Sequence, residues 1–221
     1  MKKHSLVIES ITFFAIFFLF IVSSFISAFN SFNSSSFTTT VFESWSFPWQ
    51  LLIMSLFCIV LLLIFYEKSN KRTLLLFPVI MTFGLLFCVS LFCKALVAFT
   101  GDAGAESSLT VAKPDGFVQW AFCLLTFIFA AFNEEVIYRF YLAEKMYQLL
   151  SVKLNWKLLR LLCELFALLC FAFAHLYLGW ISVLNAGLAH IILRLCYKKN
   201  EKLWPCVLSH FLYNVISLIL L

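Results

Sequence analysis

Seven stretches of the chain are apolar over lengths near that of a membrane-crossing helix: 6–29, 49–66, 74–100, 117–133, 161–178, 181–197 and 203–221. A helix needs about 20 apolar residues to cross the hydrocarbon core, with a range of about 17–25. In lipid every backbone polar group must be paired internally, so such segments can only be helices. The chain is therefore expected to be all-α: a polytopic transmembrane helical bundle of about seven spans. Composition agrees. Of 221 residues 63% are apolar and only 12% are charged, against about 45–50% and 25% in soluble domains. A net charge of +5 is too modest for a nucleic-acid-binding surface, and no nucleic-acid partner is expected. The eight cysteines lie in or beside apolar runs without a CxxC pair. They read as small apolar packing residues, not as a disulfide framework or thiolate metal site.

Basic residues fix the orientation. With the N-terminus inside and seven crossings, the inner segments hold 13 Lys and Arg, from Lys2 to Lys202, and the outer loops hold only Lys113. Such asymmetry marks the cytoplasmic side. Lys2 and Lys3 before an apolar run also resemble a signal peptide, but the run is long for that and Glu9 sits early in it, so an uncleaved first helix is expected. The stretches 30–47 and 101–116 read as exposed loops.

Ionisable groups inside a bilayer are expensive, which makes them the place to look for function. Glu9, Lys94, Glu164 and Arg194 can snorkel or pair within the bundle, and His190 reads as a packing histidine. Three clusters are different. The first is Asn133-Glu134-Glu135-Val136-Ile137-Tyr138-Arg139. Glu135 and Arg139 are four residues apart and can pair on one helix face, which leaves Glu134 pointing elsewhere. In the second, Phe171 and His175 lie one turn apart across small alanines. In the third, His210 and Asn214 share a face. A histidine and an amide so placed can both donate to one developing oxyanion, while a carboxylate–imidazole pair supplies a base. No serine or cysteine nucleophile is required, and GxSxG is absent.

Taken together and in this order, the three clusters resemble the CPBP family of membrane proteins (CAAX proteases and bacteriocin-processing enzymes, also called the Abi family). Its pattern is EExxxR, FxxxH and HxxxN or HxxxD on successive membrane helices. The matching residues are Glu134, Glu135 and Arg139, then Phe171 and His175, then His210 and Asn214. Lys202-Leu203-Trp204-Pro205 also looks like the family's approach to its third motif. The resemblance covers 117–221. It divides the chain into a catalytic helical core there and an N-terminal three-helix region, 1–116, of unreadable role. It implies an intramembrane endopeptidase in which Glu134 and His175 activate a water, His210 and Asn214 stabilise the oxyanion, and Glu135, Arg139 and Phe171 support the site.

The implied substrate is a peptide or a lipid-anchored protein, in bacteriocin or peptide maturation or in self-immunity. The chain ends soon after the third motif, without the further helix of CAAX endopeptidases, so a bacterial member in the cytoplasmic membrane is expected. The alternative from another class is a non-proteolytic bacteriocin-immunity or membrane scaffold protein, although such relatives tend to have eroded motifs. No metal or cofactor is expected: two histidines and a glutamate can hold zinc, but HExxH is absent and Asn214 is a poor ligand. A transporter is disfavoured because the halves lack matching broken helices. Substrate identity, cleavage site and oligomeric state are not legible.

One difficulty is geometric. Counting from a turn near 152–155 puts Glu134 and His175 level with each other but deep, about 30 Å from that turn, whereas His210 lies only about 12 Å from the inner loop 198–202. The mixed polar and aromatic stretch 141–160 is expected to resolve this by lying along the inner interface.

Overall fold

The computed structural model describes residues 6–33, 45–66, 76–100, 113–152 and 158–220. Within them every regular element is helical, and the helices group into seven apolar rods. The first rod is α1 (Leu6–Ile16), a π-helical segment (Phe17–Val22) and α2 (Ser23–Asn33). Next come α3 (Trp49–Phe65) and α4 (Leu76–Thr100). The fourth rod, Gly116–Ser151, is continuous for 36 residues: α5 (Gly116–Glu134), a π-helical segment (Glu135–Tyr141) and α6 (Leu142–Ser151). Then follow α7 (Leu159–Phe173), a 3-10 turn (Leu176–Leu178), α8 (Trp180–Asn200) and α9 (Trp204–Leu220). Four rods are long and apolar enough to span a membrane, and α3 and α9 are shorter apolar helices. The chain is a multi-pass membrane protein. Large apolar side chains such as Ile11, Phe18, Leu63, Phe77 and Leu161 line its outer surface, the expected arrangement where the surrounding solvent is lipid.

The core is shared across the chain. Phe13, Phe20 and Ile21 of the first rod and Cys58 and Leu61 of α3 pack with Val136, Tyr141, Ala167 and Phe171. A second cluster joins Leu86 of α4 to Leu193 of α8 and Cys206 of α9. Seven of the eight cysteines are buried, and Cys88 is exposed. His190 is buried against the Phe171 ring, 5.6 Å between centroids, the packing role its sequence context indicated.

The fourth rod differs from expectation. Residues 142–151 do not split off as an interfacial segment; they extend the helix, and Lys145 is sealed inside by Glu9, 3.1 Å away, and the Phe65 ring. The rest of the expected segment lies partly outside the described residues, as does the expected turn at 152–155. At 1.5 Å per residue the rod is about 54 Å long, well beyond a 30 Å hydrocarbon core. It therefore overhangs its neighbours. Contacts of Phe140 with Tyr197 and Tyr66, and of the Tyr66 hydroxyl with the Glu201 carbonyl, put the α8–α9 turn level with Phe140. The end of α6 extends about 15 Å past that level. This overhang removes the depth conflict. His210 lies near the start of α9, and Glu135 lies near the α8–α9 turn but far from the end of its own rod.

Ionic residues bind the overhang together. Arg194 of α8 donates to both Glu164 oxygens at 2.7 and 2.8 Å, to Glu144 at 2.7 Å, and to the Arg139 carbonyl. Arg160 and Lys198 complete the network at 2.7 and 2.6 Å. Arg194 is the most buried member, so Arg194→Met should lower unfolding stability in detergent by about 1–3 kcal/mol. An unchanged unfolding midpoint would show that the remaining cations replace it.

Candidate active site

The three motifs lie on the fourth rod, at the end of α7 and on α9, and the fourth rod packs against both of the others. The register of α7 against the fourth rod is set by Arg160 on Glu144 and by Arg139, whose guanidinium lies 3.9 Å above the Phe171 ring centre. The two run antiparallel. Four residues back from Arg139 is Glu135, and four residues on from Phe171 is His175, so the carboxylate pair and His175 are level. Tyr138 adds an edge contact to Phe171 at 5.1 Å.

The two glutamates have separate environments. Glu135 is fully buried, with Oε2 3.2 Å from Arg139 Nε and Oε1 2.8 Å from His210 Nδ1. Glu134 keeps 30% of its side-chain surface exposed, and its Oε2 lies 3.7 Å from His210 Nε2. The predicted Glu135–Arg139 pair thus forms, while Glu134, expected to face elsewhere, reaches toward the same His210 ring as Glu135. Both partners of that pair are at 0% exposure. There an unpartnered charge is strongly penalised, so each group depends on the other.

His175 takes its orientation from the way α7 ends. The last turn tightens: the His175 amide donates to the Ala172 carbonyl at 3.1 Å instead of to Phe171. The Phe171 carbonyl is one of the acceptors orphaned at a helix C-terminus. It accepts from the His175 ring, Nδ1 at 2.9 Å. A carbonyl only accepts, so Nδ1 carries a proton, and in the neutral ring the lone pair is on Nε2. The 3-10 turn then leads into Gly179, whose φ of 91° favours glycine and starts α8. Tyr177 of that turn stacks near His175, 6.4 Å between rings, and lies within electrostatic range of Glu134.

His210 is buried on α9 between the two carboxylates. Its Nδ1–H donates to Glu135, which leaves Nε2 toward Glu134. Asn214 is half-buried one turn further along α9. Among the described residues no three His, Cys, Asp or Glu side chains gather as a metal-holding group.

Residues 116–216 match the family model of the Rce1-like type II CAAX prenyl endopeptidases. That segment, a little under half of the chain, is similar to the CAAX-protease family. The family is one of membrane endopeptidases, and its match encloses all three motifs. No curated protein and no solved structure matches the chain.

Some of the surroundings of the CAAX-protease motifs had no counterpart in the sequence reading. Asn133, at the head of the first cluster, is buried and bonded to α3: its Oδ1 accepts from Ser55 Oγ at 2.8 Å and its Nδ2 donates to the Leu51 carbonyl at 3.0 Å. Arg194, expected to snorkel or pair within the bundle, pairs with Glu164 and in addition holds the Arg139 carbonyl from α8. The available signal was their expense in lipid: an amide beside the carboxylates, a hydroxyl in an apolar span and an arginine in another.

Proposed function

We propose that this protein is an intramembrane endopeptidase that hydrolyses a peptide bond with a water activated by Glu134 and His175. The observation that carries the proposal is the Glu135–His210 bond of 2.8 Å, which joins the first and third motifs and leaves Glu134 open beside them. Glu134 is the partly exposed carboxylate, and a neutral His175 with Nδ1–H on the Phe171 carbonyl offers the Nε2 lone pair, so the two fit the positioning and deprotonation of water. His210, with Nδ1–H committed to Glu135, can donate from a protonated Nε2 to the oxygen of a tetrahedral intermediate. Asn214 on the same face supplies the second donor. Glu135 and Arg139 hold His210, and Phe171 supports both Arg139 and His175.

Hydrolysis balances without a covalent enzyme intermediate. Water adds to the carbonyl carbon, its proton passes to the Glu134–His175 pair, and that proton returns to the amine as the C–N bond breaks. The substrate is a membrane-bound peptide or a lipid-anchored protein, and the setting is peptide maturation or self-immunity in a bacterial cytoplasmic membrane. No metal takes part in this scheme.

The test uses purified protein in lipid nanodiscs with a peptide that the wild type cleaves. His175→Ala should reduce kcat by about 10²–10⁴-fold, and wild-type activity should survive exhaustive chelation. Loss on chelation with recovery on added zinc would replace the scheme with a metal-dependent one. An immunity or scaffold function would instead persist in His175→Ala with no cleavage by either protein.

A further inference from the structure

We propose that Asn133 is a positioning residue, and that through it the N-terminal helix α3 sets the orientation of the two glutamates. The proposal rests on the hydrolytic reading of the site and assigns a role to a region outside the family match, which begins at residue 116. Directly after Glu134 the helix changes from α to π over Glu135–Tyr141. A π-helical turn is wider than an α turn, and as a short insert it shifts the direction in which the following side chains point. Its angular setting must come from outside the rod.

At the entry to that turn, α3 holds Asn133 from three directions. Ser55 Oγ lies 2.8 Å from Oδ1, its one proton shared between that oxygen and the Leu51 carbonyl, also at 2.8 Å; Nδ2 donates to the Leu51 carbonyl at 3.0 Å, and Cys58 Sγ lies 4.0 Å from the Asn133 carbonyl. Ser55, Cys58 and Asn133 are all buried. An amide has no such partners in lipid, so rotating the rod would break both bonds without replacement. At the far end, Arg194 of α8 holds the Arg139 carbonyl. The widened turn is thus gripped at both ends, and Glu134 and Glu135 follow immediately after the α3 grip. Neither Asn133 nor Ser55 is placed to meet substrate; each acts through Glu134.

Steady-state cleavage in nanodiscs by Ser55→Ala, Ser55→Thr, Asn133→Leu and the double variant Ser55→Ala/Asn133→Leu tests this. Asn133→Leu should lose roughly 10- to 100-fold in kcat with KM within about twofold, because a displaced base slows chemistry more than binding. Ser55→Ala should lose less and Ser55→Thr should keep near wild-type activity. The double variant should be no slower than Asn133→Leu, because both changes break one contact. Wild-type kcat in folded Asn133→Leu, or losses that multiply in the double variant, would overturn the proposal.

A second readout needs no activity. Spin labels at the exposed positions Ile53 and Leu208, with exposed Cys88 changed to serine, should give one narrow distance in wild type and a shifted or broadened one in Asn133→Leu. An identical distribution would overturn the proposal. If the wild type cleaves no peptide, the hydrolytic reading fails and the spin-label result alone decides the tether.

Discussion

Glu134→Gln should insert, fold and bind substrate like the wild type yet lose about 10²–10⁴-fold in kcat. That is the range over which a positioned general base contributes. The substitution keeps the size of the side chain while removing its negative charge and its ability to take a proton. The position tolerates it structurally, because Glu134 keeps 30% of its side chain exposed and, among the described residues, its nearest basic group is His210 Nε2 at 3.7 Å. A change in kcat with KM preserved marks an interaction made only in the transition state. Equal losses of stability and activity would mean that Glu134 is structural.

Arg139→Leu should do the opposite: it should unfold the protein first. The guanidinium is fully buried between Glu135 and the Phe171 ring. Removing it leaves a buried carboxylate whose remaining partner among the described residues is His210, and breaking a buried pair costs about 3–5 kcal/mol. The cation–π contact adds about 1–2 kcal/mol at a desolvated site. The double variant Glu135→Leu/Arg139→Leu should recover part of this stability, because an apolar pair no longer needs a counter-charge, but it should remain inactive because His210 loses its anchor. Unfolding of purified protein in detergent checks both. A single variant as stable as wild type would mean that Glu135 is held by His210 alone.

The spans were legible because lipid imposes a length on every crossing helix, and the apolar runs coincide with the seven rods. The i,i+4 pairing of Glu135 with Arg139 was legible for the same geometric reason, and it survives the change to π-helix. The extent of the fourth rod was not. Lys145 and Glu144 lie in the mixed stretch expected along the inner interface, yet Glu9 and Arg194, from distant parts of the sequence, neutralise them inside the bundle. Local polarity cannot reveal a partner 50 or 136 positions away. The π-helical segment was equally hidden, since residues 135–141 carry no glycine or proline that would announce it. At the site, the motifs pointed to the candidate residues but not to how their contacts divide. That His210 is fastened to Glu135 rather than shared with Asn214 follows from the register between α9 and the fourth rod, which only packing decides. Asn133 and Ser55 show the same limit: each is an ordinary polar residue in sequence, and their significance lies in meeting 78 positions apart.

The most direct test of the account is a comparison of new peptide termini in membranes holding wild-type protein and membranes holding Glu134→Gln, with digestion carried out in ¹⁸O-labelled water. The account predicts a set of membrane-bound peptides whose fresh carboxyl termini carry the label in the wild-type sample and are missing from the Glu134→Gln sample. The same labelled termini in both samples, or in neither, would contradict it.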